Sequence, residues 1–220
     1  MSDVDPRLVA ALRRQLDRRD ELLRAGARQI GWKLGIGERE SIGGEIAVGF
    51  LTSATALEPG AAFRAGETTV LHADAVLAVE FAADVDPGAD KDAVVAAIRG
   101  FRPALEIVDL AWGPTAEEAI AGNVFHRAVA LGELQSRLPN EVEARLVING
   151  ETGDVAPAPE GTQLVPRLAA AVRILTAAGE RMRAGEVVIT GNVVQVPVAP
   201  GDEVVADFDH LGSVALRIMP

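Results

Sequence analysis

An α+β fold is predicted by two changes of pattern along the 220 residues. Residues 1–29 carry a helical stripe, while residues 30–220 break into short apolar runs punctuated by glycine, with an all-β tail. The spacing therefore predicts an N-terminal helical segment leading into a β-rich core that carries a few helices.

The first helix is the clearest. Asp5 caps it, Pro6 occupies its first position, and Leu8, Ala11, Leu12, Leu16 and Leu23 recur at spacings of three, four and seven, with Gly26 as a stop. After Gly31 the period falls to two. Strands are predicted over Ile46–Leu51, Val76–Val85, Leu105–Leu110 and Val142–Asn149. Three further helices are predicted: Asp90–Arg99, one opened by the capping box Thr115-Ala116-Glu117-Glu118, and Pro166–Ala178. The tail gives strands over Val187–Thr190, Gln195–Val198, Glu203–Phe208 and Ser213–Ile218.

Composition removes several function classes. Hydrophobic residues make up 49% and there is no Tyr, so a core built from Ala, Val and Leu is expected. The formal net charge of −11 opposes binding to nucleic acid or an anionic membrane. An acidic protein acting on an anionic substrate needs a local cation, either a metal or a placed Lys or Arg. No cysteine is present, which excludes disulfides, thiolate zinc sites and a Cys nucleophile. The polar opening residues are unlike a signal peptide and the apolar runs are short, so the cytoplasm is the expected compartment.

Three residues stand in surroundings unusual for their type. Glu80 lies in Val76-Leu77-Ala78-Val79-Glu80-Phe81-Ala82, where alternation puts it on the face of Ala78 and Ala82. Small neighbours leave a cavity beside a carboxylate. Glu106 sits in the apolar run Ala104-Leu105-Glu106-Ile107-Val108. Two buried carboxylates converging would suit Mg²⁺ or Mn²⁺, but a half-exposed strand turning its Glu to solvent has the same spacing. Lys33 is one of two lysines against nineteen arginines. Its apolar setting suggests a site needing an ammonium that can transfer a proton; a snorkelling strand-end Lys fits equally. His72 and His210 stand beside turns and read as solvated, and His126 reads as a surface residue.

Several segments, in order, resemble the fumarylacetoacetate hydrolase superfamily, in particular its 2-keto-4-pentenoate hydratase branch. Gly31-Trp32-Lys33-Leu34-Gly35 resembles the hydratase Gly-x-Lys-Ile/Val-Gly, and Gly49-Phe50-Leu51-Thr52 the following Gly-x-Leu-Thr. The strand from Val76 is similar to the one carrying a Glu-x-Glu pair, and Arg102–Asp109 to the segment with a third Glu. Gly122-Asn123, Ala184–Gly191 and Leu211–Val214 match later signatures.

This resemblance implies a mixed sheet rolled into a barrel-like core, with a divalent cation, Mg²⁺ or Mn²⁺, at its mouth. It implies a lyase of aromatic-catabolism type that hydrates or tautomerises a small 2-keto or 2-hydroxydienoic acid; decarboxylation of 2-keto acids and C–C hydrolysis of acylpyruvates share the same enolate chemistry. Carried over by position, Glu80 and Glu106 become metal ligands, and Lys33, with Glu80, becomes catalytic. Leu34, Asn123, Thr190 and Gly191 become substrate contacts. The partners implied are a small carboxylate substrate and other copies of the chain, or a related enzyme subunit. The first Glu of the pair falls on Ala78, which weakens metal binding and leaves open a metal-free supporting subunit.

Overall fold

The computed structural model describes residues 4–66, 69–110 and 115–220. Helix α1 spans Pro6–Arg24, and its Asp5 side chain accepts a hydrogen bond from the Arg7 backbone, as its cap requires. Leu8, Leu12 and Leu16 of its stripe are buried in the same large core as the strands, so the N-terminal helix packs onto the β-rich part.

Among the described residues seven strands make the main sheet: β1 (Gln29–Gly35), β2 (Ala47–Thr52), β3 (Ala56–Leu57), β5 (Leu71–Phe81), β6 (Ile98–Asp109), β7 (His126–Leu131) and β10 (Val187–Pro197). Their order is β2-β1-β10-β5-β6-β7-β3. Pairs β1–β10 and β3–β7 are parallel, and the others antiparallel. The end strands β2 and β3 are separated by only residues 53–55, and the Thr55 carbonyl accepts from the Val129 amide on β7. The two ends of the sheet are thus tied together, and the sheet must curl. A second sheet, ordered β4-β12-β11-β8-β9, is built from β4 (Ala62–Arg64), β8 (Glu143–Ile148), β9 (Glu151–Pro157), β11 (Glu203–Phe208) and β12 (Gly212–Met219).

Alternation along the curled sheet separates two apolar layers. Trp32, Leu77, Val79, Leu105 and Ile107 face the large core, together with α1, the second sheet and α4 (Gly161–Ala178). Leu51, Val76, Ala78, Ala104, Val129, Val187 and Ile189 form a separate buried cluster. All seven come from the main sheet itself, so this face is folded onto itself as the inside of the curl.

Several strands are longer than their patterns indicate. β5 begins at Leu71, five residues before the apolar run, and β10 is one strand, with register shifts between Ile189 and Val194. β7 and β9 had no distinct signal. The helices α2 (Lys91–Ala96) and α3 (Ala116–Ala121) begin at their expected caps, Asp90 and Thr115. The expected helix over Asp90–Arg99 stops short, because Ile98, Arg99 and Gly100 belong to β6. No helix among the described residues is long and apolar enough to cross a membrane.

Candidate active site

The inside face of the curl places charged groups at its two ends, with the apolar cluster between them. At one end β5 and β6 set Asp74 directly opposite Glu106, and β10 sets Gln195 opposite Asp74. Lys33 projects from β1 so that its Nζ lies 2.6 Å from Glu106 Oε1 and donates to the Val124 carbonyl at 2.8 Å. His126 Nδ1 reaches the same Glu106 oxygen at 2.7 Å. Gln195 Nε2 donates to Asp74 Oδ1 at 2.8 Å. Lys33, Asp74, Glu106 and Gln195 open on a cleft of about 260 Å³, which is also lined by Glu40, Arg39 and Asn192, while His126 supports Glu106 from behind the cleft wall.

The surroundings push the two carboxylates in opposite directions. Burial alone would raise Glu106, but the Lys33 ammonium and the His126 hydrogen bond outweigh it and hold the carboxyl below its usual range. Asp74 has no such partner. Burial, reinforced by the negative charge of Glu106, pushes it up to about 7 against the opposing Gln195 hydrogen bond and Lys33 charge. His126 is lowered by burial, against the pull of Glu106.

The loop presenting the Val124 carbonyl is strained. Asn123, Val124 and Phe125 all have positive φ, of 69°, 51° and 65°. For a β-branched Val this is a costly conformation, and two anchors hold it. The Asn123 side chain accepts from the Phe50 amide at 2.8 Å and donates to the Phe50 carbonyl at 3.0 Å. Lys33 then bonds the carbonyl of Val124 itself. Gly49 makes room for both anchors: a Cβ there would lie 2.7 Å from Lys33 Cγ and 2.8 Å from Asn123 Oδ1. Gly49→Ala should therefore destabilise the fold by about 1–3 kcal/mol through overpacking. It should also displace Lys33, lowering turnover more than an equally destabilising change in the large core, such as Ile174→Val.

The structure gathers only part of the expected site. Lys33 and Glu106 are in contact. Glu80 is not with them: it lies six residues along β5 from Asp74, roughly 20 Å away at the strand rise. There it takes Arg99 at 2.7 Å and Arg102 at 2.6 Å, an ion-pair cluster at the far end of the curl. Glu80 and Glu106 therefore do not converge on one cation. Ala78 lies in the apolar cluster between the two ends, so position 78 is not next to the cleft. Leu34 lines the cleft but buries its side chain in the large core. Asn123 spends its amide on β2, as described above. The Thr190 hydroxyl donates to the Leu77 carbonyl at 2.9 Å, and Gly191, at φ 91°, lies against Ile36 on the cleft rim.

Asp74 and Gln195 complete the site with His126; the sequence pattern singles out neither Asp74 nor Gln195, and it gives His126 as a surface residue that could also reach a pocket. The signal that could have found the first is His72-Ala73-Asp74-Ala75, the same alternation as Ala78-Val79-Glu80 but shifted toward the N-terminus. His126 is buried, contrary to the surface role expected of it.

The fumarylacetoacetate (FAA) hydrolase C-terminal family model matches residues 39–219. The chain belongs to this family. Comparison with curated proteins returns no match. Among solved structures, the family member 4-oxalocrotonate decarboxylase from Pseudomonas putida G7, complexed with magnesium and adipate, is similar at TM-score 0.81 and 22% identity. That match covers 93% of this chain and 83% of the decarboxylase. Fumarylpyruvate hydrolase from Pseudomonas aeruginosa, complexed with Mn²⁺ and pyruvate, is similar at TM-score 0.64 and 14% identity, covering 87% and 89% of the two chains. The 2-hydroxyhepta-2,4-diene-1,7-dioate isomerase of Mycobacterium marinum is similar at TM-score 0.65 and 14% identity, covering 88% and 76%. At these identities the likeness is one of fold, and the curled mixed sheet is that of the family.

The site can be tested for a divalent cation of the kind those neighbours carry. Among the described residues no three His, Asp or Glu side chains converge as a ready-made cluster. Asp74 and Glu106 nevertheless offer hard carboxylate oxygens on one face of adjacent strands, and Glu106 Oε1 alone takes both Lys33 and His126. Two carboxylates completed by water and substrate suit Mg²⁺. Asp74, whose charged form burial and the Glu106 charge disfavour, is the group a cation would relieve. The donor set fits.

Proposed function

We propose that the chain is a lyase that hydrates or tautomerises a small 2-keto or 2-hydroxydienoic acid. The observation that carries this reading is the Lys33–Glu106 pair facing Asp74 in one small cleft. About 260 Å³ lies below the ~300–1,000 Å³ of drug-sized ligand sites, which favours a substrate of a few carbons. Lys33 is an ammonium buried beside the space where an enolate oxygen would sit, and it can both bind that oxygen and transfer a proton. Glu106 and the Val124 carbonyl fix its direction. Arg39, stacked over the Phe125 ring at 5.1 Å, adds positive charge at the cleft lining where a substrate carboxylate would enter.

Asp74 and Glu106 are the residues that would hold Mg²⁺ or Mn²⁺, which when bound would polarise the 2-oxo oxygen of the substrate. Binding at Asp74 must displace its proton below pH 7. Apparent Mg²⁺ affinity should then rise by about tenfold per pH unit below 7 and level off above it. Calorimetric titration at several pH values, in buffers of different ionisation enthalpy, reads both the affinity and the released proton; a flat profile would remove Asp74 from the ligand set.

The activity test is turnover of 2-hydroxypenta-2,4-dienoate, acetopyruvate and oxaloacetate with Mg²⁺ or Mn²⁺. Consumption of the dienoate, lost in Lys33→Met, supports the proposal. Turnover of oxaloacetate alone would make the chain a decarboxylase, and of acetopyruvate alone a C–C hydrolase. No turnover together with no Mg²⁺ binding would leave the supporting-subunit reading.

A further inference from the structure

A cavity of about 460 Å³ lies between α4, the start of α2 and the residue Val4 that precedes α1, and it shares no lining residue with the cleft. One face of α4 forms its wall: Ala169, Ala170, Arg173, Thr176 and Ala177 recur at spacings of three and four. Three of these five are alanines, and Gly88 and Ala89 line the space from the loop before α2. A furrow left by short side chains is common and by itself holds nothing. What sets this one apart is its charge. Arg173 and Lys91 both line it and no Asp or Glu does, in a chain with 32 acidic residues against 21 basic. Asp90, beside Lys91, accepts from the Ala93 amide as the cap of α2. Glu45 accepts from Arg173 Nη2, while Arg173 Nη1 is buried with no acceptor among the described residues. A guanidinium carries five donors, so the Glu45 contact leaves most of its capacity open.

We propose that this cavity is a second binding site, for a carboxylic acid with an apolar body. The carboxylate is held by Arg173 and Lys91, and the hydrocarbon lies against the alanine face of α4. A mainly apolar hollow with a few placed polar groups is the usual make-up of a small-molecule site, and about 460 Å³ falls within the ~300–1,000 Å³ such sites span. It is also larger than the cleft of about 260 Å³, so the acid it takes is bulkier than a substrate of a few carbons. The planar fork of Arg173 matches the two oxygens of a carboxylate, and Lys91 adds a point charge. The ion pair with Glu45 holds the guanidinium in place, so little freedom is lost when a ligand meets it. Neither cation lines the cleft, and the inference goes beyond the lyase reading and stands without it.

The test is calorimetric titration of octanoate into the full chain without divalent metal, with octanamide as the neutral match in shape. Octanoate should bind with a Kd of about 1 mM or tighter, and octanamide about tenfold or more weakly than that. Arg173→Gln and Lys91→Gln should each weaken octanoate by about fivefold or more. Ala170→Leu fills the furrow and should abolish binding, while Lys33→Met, in the cleft, should leave it unchanged. No octanoate binding overturns the proposal, and so does equal affinity for octanoate and octanamide, or binding that survives Ala170→Leu. Binding lost in Lys33→Met and kept in Arg173→Gln would place the acid in the cleft and overturns it too. Sedimentation of the same proteins covers one more occupant: an oligomer that Ala170→Leu takes apart, in a chain that ignores octanoate, would make this face a contact between copies and not a ligand site. Should Arg173→Gln not fold, Lys91→Gln and Ala170→Leu decide the matter.

Discussion

Asp74→Asn should make the protein more stable at pH 8 and inactive. The Asp74 carboxyl titrates at about 7 in the folded chain against 3.8 in the unfolded one, so between those values the native state holds a proton that the unfolded state has lost. Stability that depends on this proton is complete below about pH 4 and is lost as pH rises through 7. By pH 8 the charged, buried Asp74 costs the fold on the order of 4 kcal/mol. Asparagine keeps the oxygen that accepts from Gln195 and carries no charge, so most of that cost disappears. Urea unfolding without metal should show Asp74→Asn more stable than wild type by several kcal/mol at pH 8 and equal to it at pH 4. Divalent-cation binding and turnover should fall by about a hundredfold or more. Saturating Mg²⁺ should close the stability gap by stabilising only the wild type. A wild type that gains stability from pH 5 to pH 8 relative to the variant would mean that Asp74 is paired in solution by a group other than Gln195.

This trade of stability against function also explains what sequence pattern could and could not locate. Helix α1 was legible because a cap, a proline and a 3–4 spaced stripe all describe local structure. Glu106 and Lys33 were legible because a charge inside an apolar run departs from strand composition wherever the strand sits. Asp74 was missed for the converse reason: His72 and Asp74 are polar enough to make the front half of β5 look like a loop, and the strand was begun at Val76. A strand started at Val76 brings forward Glu80 in place of Asp74, since Glu80 has the same alternating surroundings, and Glu80 lies among Arg99 and Arg102. Only the pairing of β5 with β6 distinguishes the two carboxylates, and register across a sheet is a long-range property that periodicity within one strand does not carry. His126 and Gln195 are brought in by the same kind of long-range placement, His126 to Glu106 through the strained turn at 123–125 and Gln195 to the cleft through the register shifts in β10. Neither device has a local signature.

The register itself can be tested with two single substitutions, because a glutamate at position 72 and one at position 78 should behave in opposite ways. Position 72 is two residues before Asp74 on the same face of β5, at the cleft end, and the His72 side chain is only partly buried. His72→Glu therefore adds a third carboxylate next to Asp74 and Glu106. It should strengthen Mg²⁺ or Mn²⁺ binding by about tenfold or more, roughly 1.4 kcal/mol, in calorimetric titration. Position 78 is fully buried among Val76, Ala104 and Ile189. Arg102, across the ladder from it, is already bonded to Glu80 and to the Gly132 carbonyl. A glutamate at 78 would have to share that cation with Glu80, or stay charged in an apolar layer while displacing neighbours that already fill it. Ala78→Glu should therefore cost about 3–5 kcal/mol, enough to lower Tm by roughly 10 °C in a chain of this size. It should leave divalent-cation affinity no stronger than in wild type. If Ala78→Glu instead tightened Mg²⁺ binding and His72→Glu did not, the cation site would lie at the Glu80 end of β5 and the cleft beside Asp74 would have another role.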